Sequence, residues 1–199
     1  MKSRTFIIRK AICLATLAFP LPATAADLIV EENGVLPNYS TIQAAVTAAM
    51  PGDRIFVKNK AGGIPYQENV LIGKPLELLS FDAIDPFIVF GHYTINPASP
   101  SFSMPDDAVR IIGMHNLNGQ FLATVNNPAG PPIQIQIFGC RFDNGSINVT
   151  GTNYVSHIAG NWILIGGITV REGTITGNQT PGITVNDAAG VGTPGVETL

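Results

Sequence analysis

The strongest constraint on the fold of this chain is a repeat in its second half. Gly113, Gly139, Gly160 and Gly177 each follow a short apolar run, at spacings of 26, 21 and 17 residues. Helical repeats use longer units, of ~33–47 residues, and a propeller blade takes ~40–50. A shorter, drifting period built of strands and turns favours a solenoid, in which each coil stacks its strands in parallel on the next coil. We therefore expect an all-β fold.

Other positions come into line when these glycines are aligned. Positions one, three, eight and ten places after the glycine then hold comparable residues. The sets are Cys140, Asn161 and Asn178; Phe142 and Ile163; Phe121, Ile147 and Ile168; and Ala123, Val149 and Val170. In a solenoid, the apolar sets would form a buried column and the asparagines a hydrogen-bonded ladder at a turn. This design needs few charges, and only 13% of the residues are charged, against a usual ~25%.

The first 25 residues have the features of a secretory signal peptide. Four basic residues precede an uncharged apolar run at 11–21, and residues 23–25 read Ala-Thr-Ala, an A-x-A cleavage signature. The run is short of the ~20 residues that a membrane span needs, although an N-terminal membrane anchor is the alternative. No later apolar stretch is long enough to span a bilayer. We expect a secreted protein, extracellular or periplasmic, after cleavage near Ala25.

The charge and cysteine counts exclude further classes. Without residues 1–25 the chain keeps 7 basic and 14 acidic residues, for a formal charge of −7. An acidic chain without a Lys/Arg stripe is not expected to bind nucleic acid. Cys140 is the single remaining cysteine, so no intrachain disulfide forms.

One amphipathic helix is expected near the start of the mature chain, at 40–50. Ser40 or Thr41 can cap it, and positions 42, 45, 46 and 49 place apolar residues on one face. Pro51 and Gly52 end it. Short strands are expected at 27–30, 54–58, 68–72 and 76–79.

The segments 40–57 and 66–78 together carry a family resemblance. Ser-Thr-Ile-Gln-Ala-Ala-Val at 40–46, Pro-Gly-Asp-Arg-Ile-Phe-Val at 51–57 and Tyr-Gln-Glu-Asn-Val-Leu-Ile at 66–72 closely resemble the opening of right-handed parallel β-helix proteins of the pectin lyase-like superfamily. The resemblance covers 28–80 closely and 109–185 as degenerate coils. It implies a β-helix with an N-terminal capping helix. It does not specify function, because the fold hosts lyases, hydrolases, esterases, adhesins and binding proteins.

This resemblance implies a β-helix over 26–186. Residues 81–108 are irregular, and we interpret them as one strand, at the apolar run 87–90, with a long loop excursion out of the solenoid. The tail at 187–199 is rich in Gly and Pro and offers no obvious cap. An uncovered end of a parallel solenoid exposes unpaired strand edges. One alternative is that the tail drapes over the last coil. We expect instead either self-association through the C-terminal coil or a continuation in a longer protein.

Catalytic motifs are sparse. Residues 63–68 resemble the G-x-Y-x-E motif of pectin methylesterases, but the carboxylate and arginine segments of that family are missing, so Tyr66 and Glu68 are expected to be structural. A polysaccharide lyase needs an Arg or Lys base and a cation, commonly Ca²⁺ held by carboxylates. The only catalytic candidates are Arg141 and Asp143, and the signal for both is weak. Ca²⁺ is expected only if the protein is a lyase, and no other cofactor is implied.

A ligand-binding pair is the more specific feature. Arg141 and Trp162 each lie two places after a repeat glycine, so they should stack on an outward face of adjacent coils. An exposed contact of this kind contributes ~0.5–1 kcal/mol, and the pair could bind a sugar ring and its carboxylate or hydroxyl. The three histidines are well separated in sequence, and no metal site is expected. The sequence thus favours a polysaccharide-binding or surface-interaction module without a catalytic site. The alternative is a small lyase or esterase acting on acidic polysaccharide.

Overall fold

Nearly all regular structure in this chain is β-strand. The computed structural model describes residues 25–96, 107–126, 131–171 and 173–185. Within these ranges, the strands form three sheets, and the one α-helix, α1, spans Ile42–Ala48. Strands are numbered here in chain order.

Sheet 1 contains β1 (Asp27–Val30), β2 (Arg54–Val57), β5 (Leu76–Ser80), β8 (Ala108–Ile112), β11 (Ile133–Phe138), β14 (Tyr154–Ala159) and β17 (Gly173–Thr176). Sheet 2 contains β3 (Tyr66–Gln67), β6 (Phe87–Phe90), β9 (Met114–Asn116), β12 (Arg141–Phe142) and β15 (Trp162–Ile163). Sheet 3 contains β4 (Val70–Ile72), β7 (Tyr93–Ile95), β10 (Phe121–Asn126), β13 (Ile147–Thr152), β16 (Ile168–Val170) and β18 (Ile183–Val185).

The strand order follows the chain in a simple way. From β2 to β17, successive strands enter sheets 1, 2 and 3 in turn, and we call one such cycle a pass of the chain. The last strand, β18, follows β17 directly into sheet 3. Strands pair in parallel with their counterparts from the pass before. The expectation of an all-β, parallel architecture with a single helix is confirmed. The contacts are long-range in sequence because each strand meets its partner only after a full pass of the chain.

The register agrees with the glycine alignment. Ile147 lies opposite both Phe121 and Ile168, and Ile168 lies opposite Ile183. The first three of these side chains are buried. Alternating side chains of every sheet therefore meet in one continuous apolar core, which excludes water along the whole stack.

The repeat glycines mark the corner between sheet 1 and sheet 2. Gly113, Gly139, Gly160 and Gly177 have φ of 70°, 58°, 65° and 59°. Other L-residues rarely adopt this left-handed conformation, whereas glycine has no Cβ to oppose it. The spacing of these glycines in the sequence is thus the spacing of one corner from pass to pass.

The predicted asparagine ladder follows directly after that corner. The side-chain oxygen of Asn161 accepts a hydrogen bond from the Cys140 amide at 2.8 Å, and its Nδ2 donates to Ile137 O at 3.0 Å. Asn178 repeats both bonds one pass later, to the Asn161 amide at 2.9 Å and to Ile158 O at 2.8 Å. Buried corner amides and carbonyls are satisfied in this way between passes.

Helix α1 lies against the first passes as an amphipathic element. The Thr41 hydroxyl caps it by accepting from the Ala44 amide at 3.2 Å, and Ile42, Ala45 and Val46 are buried. The helix is shorter than the predicted 40–50, because Ala49 already leaves helical geometry. Two further amides at its start donate to Glu68, as described below.

Part of the predicted excursion at 81–108 is regular structure. Strands β6 and β7 both lie in this segment and pair in register with their neighbours, whereas the sequence predicts one strand there. The second was missed because Gly91 belongs to a different corner from the repeat glycines. Residues 97–106 of the excursion lie outside the described residues. So do residues 1–24 of the expected signal peptide and residues 186–199, which include the expected C-terminal tail, and self-association through the last coil stays a prediction.

The described part of the chain contains one short α-helix and a single 3₁₀ turn at Ala61–Gly63. No helix among these residues has the length and apolar character that a bilayer crossing requires.

Candidate functional site

A row of outward side chains crosses sheet 2 from strand to strand. Ile88 of β6 lies opposite His115 of β9, His115 opposite Arg141 of β12, and Arg141 opposite Trp162 of β15. The parallel register places these side chains above one another at the ~4.8 Å strand spacing. Residues separated by more than 70 positions in the chain are therefore joined in one surface row.

Arg141 and Trp162 stack as the sequence predicts. The guanidinium carbon of Arg141 lies 4.8 Å from the centroid of the Trp162 ring. The ring remains 47% exposed, and the Arg141 side chain is 40% exposed. We call these two residues the aromatic platform. A large apolar ring that a neighbouring cation holds in place, but does not cover, can pack against a ligand.

Asp143 joins the platform to His115. Its Oδ1 accepts from Arg141 Nε at 2.6 Å, and its Oδ2 lies 2.9 Å from His115 Nε2. Partial burial raises the pKa of Asp143, but the hydrogen bonds and charges of Arg141 and His115 outweigh burial and hold the pKa below its ordinary value. Asp143 is therefore an ionised acceptor near neutral pH and is unsuited to donate a proton.

The guanidinium of Arg141 keeps donors for a ligand. Its Nε is engaged by Asp143, whereas its two Nη groups donate to no described residue. These groups form a planar pair that fits a carboxylate or two adjacent hydroxyls.

The two other arginines beyond residue 75 could also serve as a lyase base, but they have partners elsewhere. Arg110 pairs with Glu77 and donates from Nε to Gln136 at 2.7 Å on sheet 1. Arg171 donates from Nη1 to the Gly151 carbonyl at 2.9 Å near sheet 3. The structure therefore does not bring Arg110 and Arg171 to Arg141.

Among the residues that the structure describes, no second carboxylate lies opposite Asp143 on the neighbouring strand. The register through Phe142 and Ile163 places Asp143 opposite Leu164, as the glycine alignment predicts. Among the described residues, no group of three or more His, Cys, Asp or Glu side chains is placed to hold a metal ion. The arrangement offers stacking, an anionic acceptor and free Arg donors rather than a pair of carboxylates.

The suspected esterase-like motif has a structural role. The Glu68 carboxylate accepts hydrogen bonds from the amides of Ile42 and Gln43, at 2.9 and 2.8 Å, at the start of α1. The Tyr66 hydroxyl donates to Lys58 O at 2.8 Å. Burial, aided by the nearby charge of Glu68, raises the pKa of Tyr66 to about 12. Both side chains support the first pass.

An open cleft lies where sheet 2 turns into sheet 3. Its volume is 410 Å³, and we call it the corner cleft. The residues that line it are Gln67, Glu68, Asn69, Phe90, Gly91, His92 and Asn118. The amide of His92 donates to Asn69 Oδ1 at 2.8 Å, and the ring Nδ1 of His92 accepts from the Gln120 amide at 3.2 Å. The Phe90 ring is 44% exposed.

Sequence reasoning missed the histidines of both regions. His115 lies two places after Gly113, as Arg141 and Trp162 do after their own glycines, so the alignment already contained its position. The signal for His92 was weaker, because the corner between sheets 2 and 3 has glycines of its own that do not align with the repeat set.

Comparisons of the chain with protein-family models, with curated protein sequences and with solved structures found no match.

Proposed function

We propose that the protein is a secreted, right-handed parallel β-helix of the pectin lyase-like kind, with α1 as its N-terminal cap. The cyclic entry of strands into three parallel sheets supports a helical path for the chain. Crossover connections between parallel strands are right-handed in nearly all proteins. Export is supported by the features of residues 1–25 alone.

We further propose that the protein binds polysaccharide through the aromatic platform. The observation that carries this proposal is the 4.8 Å stack of Arg141 on a half-exposed Trp162, beside free Nη donors and an ionised Asp143. A sugar ring packs its C–H face on an aromatic ring, while its hydroxyls and any carboxylate need donors and acceptors at the edge. The platform supplies both on a rigid sheet.

The test is binding to a glycan panel with platform variants. Polygalacturonate and alginate represent acidic chains, and dextran and cellulose represent neutral ones. Trp162→Ala should weaken binding about tenfold or more, as for a truncated hot-spot side chain. Phe81→Ala is the matched control, because Phe81 is a 52% exposed aromatic that packs on Phe56 of sheet 1.

Arg141→Gln separates the two ligand chemistries. It should weaken binding of acidic chains more than binding of neutral chains, because only the former use the guanidinium charge. The proposal is wrong if the parent protein binds and Trp162→Ala binds equally well. It is also wrong if the parent binds no member of the panel.

One observation favours the enzymatic alternative, a lyase or esterase acting on acidic polysaccharide. His115 Nε2 lies 2.9 Å from Asp143 Oδ2, and a carboxylate that orients an imidazole is a common catalytic arrangement. Release of unsaturated uronate from polygalacturonate with Ca²⁺, or of methanol from esterified pectin, would support this alternative if Asp143→Ala abolished it.

A further inference from the structure

Two exposed aromatic residues lie three strands apart on sheet 2. Phe90 on β6 is 44% exposed and Trp162 on β15 is 47% exposed. Strands β9 and β12 lie between them, so three strand steps of ~4.8 Å separate their strands by ~14 Å along the stack. Both rings project from the outward side of the same sheet, because their strand neighbours Val89 and Ile163 are buried.

Polar side chains line the edge of this surface that faces sheet 3. Asn118 and Asn144 occupy the corner after β9 and β12, and Asn144 Nδ2 donates to Asn118 Oδ1 at 3.2 Å. Both side chains are exposed. Each amide therefore keeps a donor or an acceptor for a ligand. Asp143 and Arg141 continue this polar strip to Trp162.

Gly91 lines the corner cleft, and the buried Gly119 stacks against it. A Cβ on Gly119 would lie 1.9 Å from the Gly91 carbonyl oxygen. Glycine at these positions keeps the backbone of successive passes close together. Both oxygens of the Glu68 carboxylate already accept hydrogen bonds from the amides at the start of α1. Phe90, His92 and Asn69 therefore dominate the chemistry of the cleft.

We propose that the corner cleft is a second sugar subsite, and that one linear polysaccharide chain occupies it together with the aromatic platform. Phe90 packs on one sugar ring and Trp162 on another, with Asn118 and Asn144 binding hydroxyls between them. This inference rests on the proposed polysaccharide binding and specifies its ligand. The ligand is the interior of a linear chain of several sugar units, not a terminal sugar.

The proposal predicts a dependence of affinity on chain length. A disaccharide reaches only one ring, whereas a longer oligosaccharide spans both. The second contact is then made at high effective concentration, so affinity should rise steeply once the chain covers both subsites. Beyond that length, affinity should level off.

The experiment is isothermal titration calorimetry with three size ladders, from disaccharide to octasaccharide. The ladders are oligogalacturonates, alginate oligosaccharides and cello-oligosaccharides. Phe90→Ala should weaken binding of the octasaccharide about tenfold and leave disaccharide binding within error. Trp162→Ala should weaken both. Asn118→Ala, an exposed position within the strip, should act like Phe90→Ala to a smaller extent, and Phe81→Ala is the control.

The outcomes separate the two proposals. The extended site is overturned, and platform binding stands, if Trp162→Ala weakens octasaccharide binding while Phe90→Ala and Asn118→Ala do not. Equal affinity for disaccharide and octasaccharide also overturns it. If the parent binds none of the ladders, both proposals fail together. Melting temperatures of all variants within a few degrees of the parent show that a lost contact, not misfolding, is being measured.

Discussion

His115 Nε2 lies 2.9 Å from Asp143 Oδ2, although the residues are 28 positions apart in the chain. The contact joins β9 to the end of β12, diagonally across the outward face of sheet 2. It leaves Asp143 with one oxygen for His115 and one for Arg141. The carboxylate thus fixes the arginine that supports Trp162.

Asp143→Asn should reduce stability near neutral pH by about 1 kcal/mol, since it removes two charge-assisted contacts at a partly exposed site. The pKa of folded Asp143 is lowered. Its ionised form therefore stabilises the fold above the ordinary carboxyl pKa, and this contribution is lost as pH falls through the folded value. Urea denaturation of both proteins should show the full difference at pH 7, and the difference should shrink as the pH is lowered below the ordinary carboxyl pKa of about 3.9. A difference that stays constant across this range would contradict this account.

Gly145→Ala should destabilise the fold severely, by about 3 kcal/mol or more. An added Cβ would lie 1.8 Å from the Gly119 carbonyl oxygen, so adjacent passes would have to separate. Gly139→Ala is the matched control, because its Cβ meets open space and only its φ of 58° opposes alanine. The free energy of unfolding of Gly139→Ala should fall by only about 1–2 kcal/mol. Thermal melting of both variants tests the order, and equal losses would show that passes separate more easily than the contacts imply.

Asn161→Ala should lower the free energy of unfolding by about 2–4 kcal/mol. It leaves the Cys140 amide and the Ile137 carbonyl without their partner, and each is a polar group in a buried corner. Asn178→Ala makes the same change at a less buried position, where water can replace the lost bonds. We expect its loss in urea denaturation to be smaller. If Asn178→Ala lost more stability than Asn161→Ala, the asparagine ladder would stabilise the fold mainly through its outer member.

Cys140 should be unreactive in the folded protein. Burial raises the pKa of its thiol to about 12, from an ordinary value of 9.0, so the thiolate fraction near neutral pH falls about 1,000-fold. In a Cys13→Ser background, a chromogenic disulfide reagent should find no thiol in native protein and one in guanidinium chloride. Rapid labelling of native protein would mean that the core around Cys140 opens readily.

Much of the fold could be predicted from the sequence because the repeat is tied to the backbone. A left-handed corner strongly favours glycine, so Gly113 and Gly139 mark equivalent points of successive passes. Alternation in strands then fixes which neighbours are buried. The opposition of Arg141 and Trp162 followed from this alignment and is confirmed. Strand β7 was missed because no repeat glycine marks it.

The sequence by itself determined which outward residues lie next to one another across sheet 2. It did not determine how their side chains interact. Register is a property of the backbone, which the pattern of glycines and apolar residues encodes. Only the tertiary structure decided that Asp143 turns to both Arg141 and His115, that Glu68 serves the start of α1, and that Phe90 lies beside an open cleft. Side-chain directions and corner shapes depend on packing between passes, and nearby residues in sequence do not specify that packing.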